Sequence, residues 1–180
     1  MSIGTDEPAD LAELATAYAT ARDPEVLTRL RDVVRTSPGY DAGVDVPGLL
    51  GPLLARDAYD EIVAEVRSRM PGLFLSPAAH QSLATAYDAL GDATRAGRER
   101  RTARLAVESI LATGDGTRER PWIPLRISDE YDVLRARGRR SRAQELVVRD
   151  GRALDRHRCD DGSELWFDVT GMVPVGREAE

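Results

Sequence analysis

Lysine and asparagine are missing from the 180 residues, and all 25 basic side chains are arginines. That bias fits a GC-rich coding source, so an arginine cluster alone is weak support for a selected chemistry. Cysteine occurs once, as Cys159, which excludes an internal disulfide and agrees with a reducing compartment. Histidine occurs twice, as His80 and His157. One thiol and two imidazoles fall short of the four nitrogen and sulfur ligands a structural zinc site wants. Aromatic residues make up only 5% of the chain, which predicts a core of Leu, Val, Ile and Ala and favours helices. No apolar run approaches the ~20 residues of a membrane span, and the opening MSIGTDEPAD has early acids in place of a signal-peptide core. A cytoplasmic protein with no cofactor, no metal and no membrane partner is expected.

What is present is the balance of a soluble globular chain, with 42% hydrophobic and 31% charged residues, long enough for one domain with a small appendage. The net charge of −6 gives no general pull toward nucleic acid, but it is uneven. Residues 1–94 sum to −8, 95–116 to +2, 117–158 to +5 and 159–180 to −5.

The helical signal is repetitive. LATAY occurs at Leu14 to Tyr18 and again at Leu83 to Tyr87, and a middle copy is supplied by Val46, Leu49, Leu50 and Leu53. The spacing resembles the tetratricopeptide repeat, whose first helix carries a W-x2-L-G-x2-Y pattern. Here those positions read Leu11, Leu14, Ala15, Tyr18, then Val46, Leu49, Leu50, Leu53, then His80, Leu83, Ala84, Tyr87. The repeat's tryptophan is missing, and its second-helix aromatic is replaced by Arg31, Val66 and Arg100. Three hairpins are expected, with helices over 8–21 and 24–36, 46–55 and 57–70, and 77–90 and 92–112. Asp23-Pro24 and Ser76-Pro77 set N-caps, Gly91 sets a C-terminus, and Pro52 threatens to shorten or bend the third helix. The resemblance implies an α-solenoid over 1–116 with a concave face for a partner.

After Gly116 the period changes. Ile123, Leu125 and Ile127 alternate as in a strand, Ser128-Asp129-Glu130 opens a helix over 129–137, and Asp150-Gly151 and Asp161-Gly162 mark two hairpins. An α+β chain results: helical hairpins, then a small, largely antiparallel sheet with one helix over 117–172, and a disordered tail over 173–180. One sheet face is expected to carry Ile123, Leu125, Ile127, Leu146, Val148, Leu154, Leu165, Phe167 and Val169 toward that helix. The other would carry Trp122, Arg126, Glu145, Asp155, His157, Glu164, Trp166 and Asp168.

The run from Thr113 to Gly116, the helix from Glu130 to Leu134 and the strand from Trp166 to Asp168 form a T-G-D-G, E-Y-D-x-L, W-F-D pattern. This C-terminal half resembles a family of bacterial proteins defined only as a domain of unknown function. The resemblance implies a fold pattern and no activity.

Thr113-Gly114-Asp115-Gly116 leaves a helix and enters a strand, the wrong sense for a phosphate loop, and reads as a helix stop and turn. His157 and Cys159 share a strand face without forming a ready nucleophile–base pair, so His157 reads as a half-exposed strand residue. The arginines of 95–104 and 135–142 lack interleaved aromatics, and nucleic acid is not an expected partner. Trp122 and Trp166 stand out, because large aromatics on an open face imply either a cover or a ligand. They are expected to pack on the last helical hairpin or, with Arg126, Glu164 and Asp168, to form a binding surface. The function these readings favour is a non-catalytic module binding a protein or peptide. The alternative is an enzyme with its site between helices and sheet, using Asp115, Asp168 or His157 for acid–base work.

Overall fold

The computed structural model describes residues 11–173. Six helices come first: α1 (Leu11–Ala21), α2 (Pro24–Thr36), α3 (Val46–Ala55), α4 (Tyr59–Ser68), α5 (Pro77–Ala89) and α6 (Ala93–Leu111). A single helix, α7 (Asp129–Ala136), and three strands, β1 (Ser141–Arg149), β2 (Arg152–Cys159) and β3 (Glu164–Asp168), complete the described chain. The fold is thus mixed α+β. Of the tail expected over 173–180, all but Val173 lies outside the described residues.

Four of the helices begin where the sequence supplies an acceptor for their unpaired first-turn amides. Asp23 accepts from Glu25 and Val26, Asp45 from Gly48, Ser76 from Ala79 and Asp92 from Arg95. α3 runs through Pro52 and keeps ten residues. Gly91, at φ +80, reverses the chain after α5 in the left-handed conformation that disfavours any side chain.

The apolar side chains gather in three clusters. Val46, Leu50, Ile62, Val66, Leu83 and Tyr87 join α3, α4 and α5. Leu14, Tyr18, Leu27, Leu30 and Val34 of α1 and α2 pack with Leu75, with Ala106 of α6 and with Leu125 beyond it. Ile110, Trp122, Val133, Leu134, Cys159 and Phe167 join the end of α6, α7 and the sheet. Between α5 and α6, buried His80 bonds the Phe74 carbonyl at 2.5 Å and Glu99 at 2.6 Å.

The sheet order is β1-β2-β3, antiparallel throughout. The strand expected over 122–127 does not form, so helix α7 precedes every strand. Pro121 and Pro124 lack the amides a ladder needs. What remains of that strand is one bridge from Trp122 to Phe167, with the Trp122 amide donating to the Trp166 carbonyl at 3.1 Å and the Asp168 amide donating to the Trp122 carbonyl at 2.7 Å. This irregular segment covers the free side of β3.

The face assignment also changes. Asp155 pairs with Phe167 and His157 with Leu165 across β2 and β3, so both polar residues lie on the inner side with the phenylalanine. Leu146 and Val148, expected under the helix, are 46% and 47% exposed, because the short α7 does not extend over that part of β1.

Candidate functional site

The residues expected to form one binding face are dispersed by the missing strand. Trp122 is 3% exposed; its ring lies 5.6 Å from that of Phe167 and its indole N–H donates to the Gly114 carbonyl at 3.1 Å. Trp166, next to Phe167 in the chain, points to the opposite side, with the guanidiniums of Arg118 and Arg156 each 5.6 Å from its ring centre. Trp122 and Trp166 therefore do not share a face. Glu164 is exposed and lies 3.5 Å from both Arg156 and Arg158. Asp168 accepts from Arg152 at 2.9 Å and from the Thr170 amide at 3.0 Å. Burial acts to raise its carboxyl, but these bonds outweigh that and leave it lowered.

Arg126 is the clearest correction. Placed on an open sheet face by the alternation, it is fully buried. It donates through Nη2 to the Gly72 carbonyl, lies 3.4 Å from Asp129 through Nη1 and stacks 5.6 Å from the ring centre of Tyr40. Gly72 must lack a side chain there, since a Cβ would meet the Gly39 carbonyl carbon at 2.4 Å. Asp129 is pushed up to about 7 by desolvation, which outweighs the attraction of Arg126. A second buried cation, Arg31, donates to the Ile123 carbonyl at 2.6 Å, and Tyr40 donates to that of Leu125, also at 2.6 Å. Burial lowers Arg31 to about 10. Both arginines fasten the segment after Gly116 to the helices.

Thr113 to Gly116 also turns inward. The Asp115 and Gly116 amides both donate to the Arg120 carbonyl, at 2.9 and 3.1 Å, so neither is open to an anion. Asp115 accepts from Thr117, which lowers its carboxyl. Gly116, at φ +79, lies under the Trp122 ring, where a Cβ would come within 2.6 Å.

The C-terminal part has a buried polar centre that the strand alternation does not predict. His157, expected half-exposed, is fully buried, 2.7 Å from Glu130 through Nε2 and 2.9 Å from Ser141 through Nδ1. Desolvation first, and then the charge and hydrogen bond of Asp155, push Glu130 up to about 9. Burial lowers His157. A protonated Glu130 donating to Nε2, a neutral imidazole donating from Nδ1 to Ser141, and Ser141 donating to the Ala143 carbonyl at 3.2 Å make up the assignment that gives each of these contacts one donor and one acceptor, with Glu130 Oε1 left buried and without a partner. Asp155 accepts from Gln144 at 2.7 Å. Among the described residues no group of three or more His, Cys, Asp and Glu is placed to hold a metal ion. None of the described helices is long and apolar enough to cross a membrane.

The open grooves lie on the helices. One of about 550 Å³ runs between α1 and α6, walled by Ala15, Ala19, Phe74 and Leu105 and edged by Arg98, Arg101 and Arg104. These three arginines form no ion pair among the described residues, while Arg22 and Glu108 pair at 2.6 Å beside them. A smaller groove of about 360 Å³ lies between α5, α6 and α7, where Asp132 and Arg135 pair at 2.7 Å.

Compared with protein-family models, with curated proteins and with solved structures, the chain matches none.

Proposed function

We propose that the chain is a cytoplasmic, non-catalytic interaction module whose helical part takes an acidic peptide in the groove between α1 and α6. The carrying observation is the row of Arg98, Arg101 and Arg104: three guanidiniums at the groove edge without acidic partners among the described residues, on a chain whose net charge is −6. A positive groove on a negative protein selects an acidic ligand and speeds its approach. The row extends ~9 Å along α6, the length of about three extended residues. Ala15, Ala19 and Leu105 give small apolar side chains a surface between the charges. The repeat of LATAY and the hairpin order support reading the helices as degenerate tetratricopeptide-like units, a class that offers its grooves to peptides. Nucleic acid suits the groove less, because Phe74 is the sole aromatic among its lining residues and base stacking has little platform.

A second reading, an enzyme at the junction, draws on the line Ser141–His157–Glu130. Against it, Ser141 donates to the Ala143 carbonyl and not to His157, and with Glu130 donating to Nε2 the imidazole proton faces Ser141, so neither ring nitrogen is left as its base. Asp115 and Asp168 are held by their own turns, apart from this line.

The test is fluorescence anisotropy of a labelled peptide of alternating Glu and Ala, with a Lys-for-Glu peptide and a single-stranded oligonucleotide alongside. Wild type is expected to bind only the acidic peptide, more weakly as salt rises. The triple variant Arg98→Glu, Arg101→Glu, Arg104→Glu should lose that binding while keeping its helical circular dichroism. Equal binding by the triple variant, or preference for the oligonucleotide, would sink the reading.

A further inference from the structure

β1 forms one edge of the sheet, and the turn after it determines which of its backbone groups are left over. Asp150 and Gly151 have φ of 52 and 72, and they join Arg149 to its partner Arg152 as a two-residue turn of the I′ kind. The pair flanking such a turn is hydrogen-bonded, and bonded and non-bonded pairs then alternate. Arg149, Val147 and Glu145 therefore direct their amides and carbonyls to β2. Val148, Leu146 and Gln144 direct theirs outward, away from the sheet. Leu146 and Val148 are also two of the four exposed large hydrophobics among the described residues. A third, Tyr131, bonds the Gln144 side chain beside them. From residue 144 to 149 this edge has no proline and no bulge, two of the protections of an open strand, and its charges are one acid, Glu145, and one base, Arg149.

We propose that β1 pairs with β1 of a second copy of this chain, antiparallel about a two-fold axis, to make a continuous six-stranded sheet. The outward groups meet only if residues 144, 146 and 148 pair among themselves, and three of those registers, centred on 145, 146 and 147, bring more than one of them from each copy into the ladder. Centring on Glu145 sets two glutamates opposite each other, which is unfavourable. Centring on Leu146 sets Glu145 against Val147, and its one charge pair, Arg142 with Asp150, falls beyond the regular ladder. Centring on Val147 sets Leu146 against Val148 and Glu145 against Arg149 of the second copy, both twice by symmetry. Glu145 takes Arg156 and Arg158 through Oε2, which leaves Oε1 for the second copy's arginine. The third register satisfies the backbone edge, the apolar pair and the charges together.

The experiment is sedimentation equilibrium of the full chain over a concentration series. A monomer–dimer equilibrium in the micromolar range is expected, as suits a small interface. Leu146→Lys should raise the dissociation constant more than about tenfold by burying an ammonium at the seam. Val148→Pro should do the same by removing an outward amide that β2 does not use. Arg149→Glu should weaken the dimer, and adding Glu145→Arg should restore it, since the swap rebuilds the pair only in the Val147-centred register. A wild type that stays monomeric at every concentration overturns the proposal, as does a dimer indifferent to both Leu146→Lys and Val148→Pro. Failure of the charge swap overturns the register. The helical groove is not involved, so loss of peptide binding leaves this result untouched.

Discussion

Glu130 meets His157 at 2.7 Å, Oε2 to Nε2, with neither side chain exposed to solvent. Burial drives both groups toward their uncharged forms, and a neutral acid donating to a neutral imidazole meets that demand without a buried charge.

Stability should therefore depend on pH. An unfolded glutamate loses its proton near pH ~4.3, whereas the folded Glu130 holds it up to about 9. Between these values the folded state carries the extra proton, so its contribution is complete below the unfolded value and is lost as pH rises. The slope is at most about 1.4 kcal/mol per pH unit. Asp129 adds a slope of the same sign, but only up to about 7. From there to about 9 Glu130 acts without it. Glu130→Gln keeps an N–H for Nε2 and has no proton to lose. Thermal melts at several pH values should show wild type falling in that upper window and the variant staying flatter. Parallel curves would mean that Glu130 does not hold this proton.

The helices and hairpins were legible because their signals are local. Caps at Asp23 and Ser76, the stop at Gly91 and the turns at Asp150 and Asp161 each act within a few residues. The buried cations were not, since their partners lie far along the chain. Arg31 did leave a trace: it falls in the stripe Leu27, Leu30, Arg31, Val34, and all four are buried. Arg126 left none. Alternation through Ile123, Leu125 and Ile127 placed it outward, but the prolines break the strand and Pro124, Leu125 and Arg126 are buried in succession. His157 was missed for a similar reason: its inward face comes from the register of β2 on β3, and composition does not encode it.

Arg126 and Asp129 should be strongly coupled. Arg126→Met removes the cation that stabilises a buried aspartate and the donor to the Gly72 carbonyl. Breaking one side of such a pair costs about 3–5 kcal/mol. Asp129→Asn in the Arg126→Met background removes the stranded charge while keeping an acceptor for the backbone amide of residue 126, so urea denaturation should show part of the loss returned. If the double variant is no more stable than the single, the penalty lies in the lost Gly72 contact and not in the aspartate.

The helical part should depend on the segment beyond residue 116. Leu125 fills the cluster between α1 and α2, the Ile127 amide donates to the Ala42 carbonyl at 3.2 Å, and Arg31 and Tyr40 both find carbonyl partners in 123–125. A chain of residues 1–116 would expose that cluster and leave the Arg31 guanidinium inside it with fewer acceptors, so it should melt well below the full protein. Two probes separate the halves in the intact chain. Both tryptophans lie beyond residue 116, while six of the seven described helices precede it. Tryptophan fluorescence and far-ultraviolet circular dichroism should therefore report one coincident unfolding transition. Separate transitions, or an unshifted melt for the truncated chain, would show that the two buried arginines hold the parts in contact without making them fold as one.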